Sequence, residues 1–197
     1  MADYDFAKIE KKLSKYLDED RFQHTMGVMY TSACLAMVHG YDIKDAQVSG
    51  LLHDCAKCIP NKKKLKMCSE HNIPVSDFER SHPFLLHSRL GAYIAHEKYG
   101  IDDQEILSAI NYHTTGRREM SLLEKIIYIA DYLEPGRTEL PNMADVRSLV
   151  FRDIDECLYR ILKDSLVYLE TKHLPIDIMT EKTYLYYKET LKKQEEN

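Results

Sequence analysis

An all-α fold is predicted from three observations. Apolar residues recur at three- and four-residue spacing along nearly the whole chain, and acidic or hydroxyl side chains stand ahead of several of those runs. No stretch alternates apolar and polar residues as a half-buried strand would. At 197 residues the chain can bury a substantial core, and 44% hydrophobic with 30% charged residues is a globular composition rather than a disordered one. A single all-α domain over 1–197 is expected, with a core over 20–135 and C-terminal helices over 140–197 packed on it. The net charge of -5 gives no general drive toward nucleic acid or an anionic membrane. No apolar stretch approaches the roughly 18–20 residues of a membrane span, and the acidic start Met-Ala-Asp is unlike a secretory signal. The expected location is cytoplasmic, with no nucleic-acid or membrane partner.

Taken in order, residues 4–17 place Tyr4, Phe6, Ile9, Leu13, Tyr16 and Leu17 on one helical stripe. Asp18-Glu-Asp20 breaks the pattern and opens a second helix, where Asp20 and Gln23 have the form of a capping box and Gly40 suits the stop. His24, Val28, Thr31, Leu35 and Val38 share a stripe of that helix, an odd place for a histidine used only as filler. Asp45 starts a short helix carrying His53-Asp54 near its end, and Pro60 stops it. The lysine-rich segment from Asn61 reads as a polar helix with a solvated face. Ser81-His82-Pro83 begins the next helix, which runs through His87, Gly91 and Ile94 to Gly100, with Gly91 allowing a close approach.

Asp102 or Asp103 opens a helix ending at His113. Ser121-Leu-Leu-Glu124 is a capping box, and the helix Leu122 to Leu133 is apolar nearly all round, hence central. Asp131 lies inside it. An unpaired carboxylate there costs several kcal/mol, so it needs a metal, or a cation such as Arg137 or Lys125. From about Asn142 one long amphipathic helix is expected through Leu169, ended by His173-Leu-Pro175. A tyrosine-rich last helix follows, able to pack on the domain or on a twin subunit in a homodimer.

The chemistry gathers on four histidines and two aspartates. His24, His53, Asp54 and Asp131 supply imidazole and carboxylate ligands without thiolates, a set suited to iron(II), manganese, zinc or nickel. Four ligands leave two octahedral positions for water or substrate oxygens, where an ion can lower the pKa of water and hold a phosphoryl oxygen. His87 and His113 can ligate a second ion, or in protonated form contact phosphate and assist a leaving group. Lys57 and Arg137 can neutralise phosphate charge, Arg137 in bidentate fashion. Each histidine taken alone is more readily a satisfied structural residue; the ordered set is what points to a site. Cys55-Ala-Lys-Cys58 is a single CxxC without the second half of a zinc site, and the five cysteines read as reduced thiols.

This order of residues resembles the HD-domain metal-dependent phosphohydrolase superfamily. The segments Gly50-Leu-Leu-His-Asp-Cys-Ala-Lys57, His87-Ser-Arg-Leu-Gly-Ala, Asn111-Tyr-His-Thr-Thr-Gly116 and Ala130-Asp-Tyr-Leu-Glu-Pro-Gly-Arg137 are similar to its YqeK type, the symmetrical bis(5′-nucleosyl)-tetraphosphatases. The resemblance implies hydrolysis of diadenosine tetraphosphate to two ADP, with iron as one or two ions, or manganese or another divalent metal in its place. It implies that His24, His53, Asp54 and Asp131 hold the metal. Asp54, Lys57, His87 and His113 would carry the catalytic roles. His24, Asp54, Cys55, Ala56, Lys57, His87, His113, Asp131 and Arg137 would line the dinucleoside polyphosphate or ADP-like nucleotide. Leu174, Pro175 and Ile176, in a stretch running to Met179, would close over the nucleoside. Two further readings stand beside this one: an HD enzyme of other specificity, such as a nucleotidase or phosphodiesterase, and a nucleotide-sensing module without useful turnover.

Overall fold

The computed structural model describes residues 4–137 and 142–195; the start of the expected C-terminal segment, 140 and 141, lies outside them. Among the described residues every regular element is helical. The helices are α1 (Phe6–Leu13), α2 (Glu19–His39), α3 (Ile43–Leu52), α4 (Asn61–Glu70) and α5 (Asp77–Ser81). After a 3₁₀ turn at Pro83–Leu85 come α6 (Leu86–Tyr99), α7 (Gln104–Tyr112), α8 (Leu122–Leu133), α9 (Met143–Leu149), α10 (Ile154–Thr171) and α11 (Ile178–Glu195).

Most starts are fixed by a side chain accepting from an otherwise unpaired N–H of the first turn. Asp5, Asp18, Asp42, Ser76, Asp103, Ser121 and Asp153 do this. Ser121 and Glu124 form the expected capping box. Gly40 and Gly100 close α2 and α6 in the left-handed conformation, at φ +73° and +69°.

Four expectations are corrected. The cap of α2 is Asp18, not Asp20, and Gln23 instead donates to Glu19 Oε1 one turn back. The cap of α3 is Asp42, which accepts from the Asp45 N–H. Ser81 ends α5 rather than opening a helix, because Ser76 and Glu79 build an earlier capping box. The single long helix from Asn142 is two helices. Asp153 captures the N–H groups of Asp155 and Glu156 and restarts the chain in a new direction.

α8 is the centre. Leu123, Ile126, Ile127, Ile129 and Ala130 are fully buried, and the helix packs against α2, α3, α7, α9 and α10. α2 and α3 pack on each other more intimately than any other pair, and α6 lies on α7. α11 packs on its own chain: Tyr184 stacks on Tyr159 at 5.7 Å, and the Tyr187 hydroxyl accepts from the Met120 N–H at 3.0 Å. α2, α3, α7 and α8 thus bring the ends of α3, α7 and α8 together beside the first turns of α2. No helix among the described residues is long and apolar enough to cross a membrane.

Candidate metal centre

Four imidazoles form a row. Ring centroids lie 5.4 Å apart for His24 and His53, 5.0 Å for His53 and His113, and 5.0 Å for His113 and His87. Every ring has its Nδ1 proton committed. His53 donates to the Gly50 carbonyl at 2.6 Å, His87 to Phe84 at 2.7 Å and His113 to Ile110 at 2.7 Å. His24 donates to the Glu134 carboxylate at 3.0 Å. Carbonyls and carboxylates only accept, so in each ring the Nε2 lone pair is the one left for other partners, which at His87 include Lys57 Nζ at 3.2 Å.

Those lone pairs meet the two aspartates. Asp131 Oδ1 lies 3.0 Å from His24 Nε2 and 3.9 Å from His53 Nε2. Asp54 Oδ2 lies 3.5 Å from His53 Nε2 and 4.0 Å from His24 Nε2. Asp54 Oδ1 is 3.3 Å from His87 Nε2 and 3.5 Å from His113 Nε2. Acceptors this close to acceptors require a cation between them. Accordingly His24 Nε2, His53 Nε2 and Asp54 Oδ1 are sealed from solvent without a hydrogen-bond partner, a rarity in native structures that calls for an ion or a proton. Two overlapping groups are close enough to hold one: His24, His53 and Asp131, and His53, Asp54 and His113. The donor set fits a divalent metal.

Cations ring this centre. Arg21 donates to Asp54 Oδ2 at 2.9 Å, Lys57 Nζ stands 3.7 Å from Asp54 Oδ1 and donates to His87 Nε2 at 3.2 Å, and Arg137 holds both the side chain and the carbonyl of Asp131. Burial raises the pKa of Asp54, but the neighbouring His53, His113 and His87 outweigh it and hold the carboxyl well below its ordinary value. Asp131 is shifted the same way: His24, His53 and Arg137 outweigh burial. His87 is pushed far down, first by burial and then by the Lys57 charge. It is therefore neutral at pH 7, and the protonated form is disfavoured.

Every residue expected on the metal is in the cluster, with His87, His113, Lys57 and Arg137 around it. Asp131 pairs with Arg137, not with Lys125, which pairs with Asp155 at 2.6 Å. Cys55 and Ala56 are buried, the Cys55 thiol donating to the Gly91 carbonyl, while Cys58 donates to Asp18 at 3.2 Å. With such divergent partners the CxxC is no knuckle, and burial pushes the Cys55 thiol up to about 12. Gly91 does permit a close approach, since a Cβ there would lie 3.4 Å from the His53 carbonyl. Leu174, Pro175 and Ile176 form the α10–α11 connection, with Leu174 exposed. Just beyond, Asp177 to Met179 face Asn111, Tyr112 and Thr115 across a cavity of about 160 Å³. The lysine-rich α4 is not wholly solvated: Lys64 is buried.

Three participants were not foreseen. Arg21 reaches Asp54 from the first turn of α2, and the Thr114 hydroxyl lies 3.3 Å from His87 Nε2. Glu134, buried at 3% exposure, orients His24 and is itself held by the Gly136 N–H. Its signal in the sequence was an acidic residue directly after the apolar α8, three positions from Asp131. Glu134→Gln retains the shape and removes the charge that fixes the His24 tautomer. Metal affinity is expected to fall about 10- to 100-fold, the usual loss for an outer-shell partner, read by competition with a chelator.

The helical core and its row of histidines and aspartates define a metal-dependent hydrolase class, and comparison with known proteins agrees. Residues 21–136 match the family model described as HD domain. The chain belongs to the HD domain family, in the branch of the symmetrical bis(5′-nucleosyl)-tetraphosphatases. A Bacillus subtilis protein of that name is 38% identical over 172 residues, covering 87% of this chain and 91% of the relative. A Staphylococcus aureus protein of the same name is 34% identical over 180 residues, covering 90% and 92%. A Clostridium acetobutylicum crystal structure, described as a predicted HD superfamily hydrolase involved in NAD metabolism, matches with TM-score 0.91 at 35% identity, covering 96% of this chain and all of that one.

Proposed function

We propose that this protein hydrolyses diadenosine tetraphosphate at its central bridge to two molecules of ADP, using iron held by His24, His53, Asp54 and Asp131. The observation that carries the reading is the row of Nε2 atoms facing two aspartates, those of His24 and His53 without a hydrogen-bond partner, in a chain whose relatives are named for this reaction. A bound divalent ion supplies Lewis-acid activation of water and neutralisation of phosphoryl charge. The overlap of the two ligand groups at His53 supports room for a second ion at Asp54 and His113.

The remaining work belongs to the chain. Arg21, Lys57 and Arg137 surround the carboxylates with positive charge that a polyphosphate can share. A bond forms from the water oxygen to the phosphorus beside the central bridging oxygen. The bond from that phosphorus to the bridge breaks, and ADP leaves with the electron pair. Lys57, which donates to His87 Nε2 at 3.2 Å, can pass its proton toward the leaving oxygen, and that frees His87 Nε2 to accept the water proton. The Leu174–Met179 stretch is assigned to one nucleoside, because its end already faces the Asn111–Thr115 turn beside His113. Residues 20–135 are the metal-binding core, on which the helices after 140 pack. A cytoplasmic location is part of the same reading, supported by five cysteines without a disulfide among them.

The test is anaerobic incubation with iron(II) and diadenosine tetraphosphate, with products separated by anion exchange. ADP alone is expected. ATP with AMP would overturn the placement of the bridge over the metal, and intact substrate would overturn the hydrolase reading.

A further inference from the structure

A symmetrical cut leaves two equal halves, and both must be lodged while the bond breaks. Attacking water and leaving oxygen lie roughly in line through phosphorus, with the retained half on one of the oxygens between them, so the two halves diverge from the attacked phosphorus and need separate places. The histidine row has two ends. At the His87–His113 end lies the wall of Asn111, Tyr112 and Thr115 facing Asp177 to Met179. At the His24 end a different groove opens, with a volume of about 880 Å³, within the range of small-molecule sites. His24 and Glu134 form its inner wall, so it starts one imidazole's width from the metal ligands.

The chemistry of this groove suits a nucleoside better than more phosphate. Met26, Leu35 and Val150 give an apolar floor, and Tyr30 and Phe151 stand at its edge, 59% and 56% exposed. Large exposed aromatics beside a groove are platforms for a base, whose π-face stacks without a charge requirement. Arg147 is fixed by donating to the Leu133 and Glu134 carbonyls at 3.2 and 3.3 Å, which leaves three of its five N–H donors for a sugar or base acceptor. Asp20 and Glu134 on the same wall disfavour a phosphate chain deep in the groove.

We infer that the groove between α2 and α9 binds the second nucleoside of the substrate, which departs with the leaving ADP. This rests on the hydrolase reading above and adds the subsite for the other half of the molecule.

The experiment compares diadenosine tetraphosphate with adenosine 5′-tetraphosphate, which has the same phosphate chain and one nucleoside. The double variant Tyr30→Ala/Phe151→Ala removes both exposed aromatics, and Cys34→Trp, at an exposed groove position, fills the space. For each, the ratio of KM for the two-nucleoside substrate to KM for the one-nucleoside substrate is measured. A rise of about tenfold is expected, the loss of roughly one base stack. An unchanged ratio, or equal loss on both substrates, overturns the subsite. Failure of the wild-type protein to cleave either substrate overturns the hydrolase reading, and the subsite falls with it.

Discussion

Asp54→Ala is expected to abolish turnover and to strip the metal. Asp54 is 1% exposed and, with His53, touches both halves of the cluster. Its Oδ2 accepts from Arg21 and approaches His53, while its Oδ1 has no donor and lies between His87 and His113. Losing it removes a ligand oxygen from one group and the charge balance of four neighbouring nitrogens. The loss should exceed the roughly 10- to 100-fold cost of an outer-shell partner. Asp54→Asn separates charge from shape: it should also lose metal, with an unchanged circular dichroism spectrum. Cys58→Ser should lose neither metal nor activity, since its thiol touches only the exposed Asp18. Metal content per chain and single-turnover rate are the measurements, and an active Asp54→Ala protein would sink the proposed centre.

The residues of the cluster were legible because each stands at a place local rules can locate. His24 is in the first turns of α2, His53 and Asp54 follow the last turn of α3, His113 follows α7, and Asp131 sits in the most apolar helix of the chain. Helical periodicity and caps find those ends, and a charged group on an apolar face stands out against them. Arg21 and Glu134 were not legible for a different reason. An arginine in a polar first turn and a glutamate in a turn before Pro135 look like solvent-facing residues until α2 is laid across the ends of α3 and α8. Their roles arise from tertiary crossing, which no window of sequence contains. The break between α9 and α10 was hidden because Val150 and Ile154 keep the four-residue apolar spacing through it. Only the side chain of Asp153, caught by the next two N–H groups but one, marks the interruption. Lys64 was misplaced among solvated lysines because a run of like residues conceals which one faces inward.

The same crossing makes Gly50→Val a damaging change outside the proposed ligands. Gly50 sits in α3 where α2 comes closest. A Cβ there would lie 2.9 Å from Ser32 Oγ and 3.0 Å from the Met29 Cα. Ser32 can rotate, but the α2 backbone cannot, so a branched side chain has to part the two helices. Overpacking of this kind costs about 1–3 kcal/mol. Its functional cost is larger, because α2 carries His24 while α3 carries His53, whose Nδ1–H is anchored on the Gly50 carbonyl at 2.6 Å. A shift of about 1 Å between reacting groups can cost 10²-fold, and iron affinity should fall with the rate. Gly40→Ala is the comparison. Gly40 has φ +73° and open space around its Cβ position, so alanine there meets backbone strain without a clash. That strain should cost about 1–2 kcal/mol, while iron binding stays at the wild-type level because no proposed ligand moves. Thermal unfolding of the chelator-treated proteins gives the stability change, and iron(II) titration gives the affinity. If Gly50→Val binds iron as tightly as Gly40→Ala, the α2–α3 contact does not set the distance between His24 and His53.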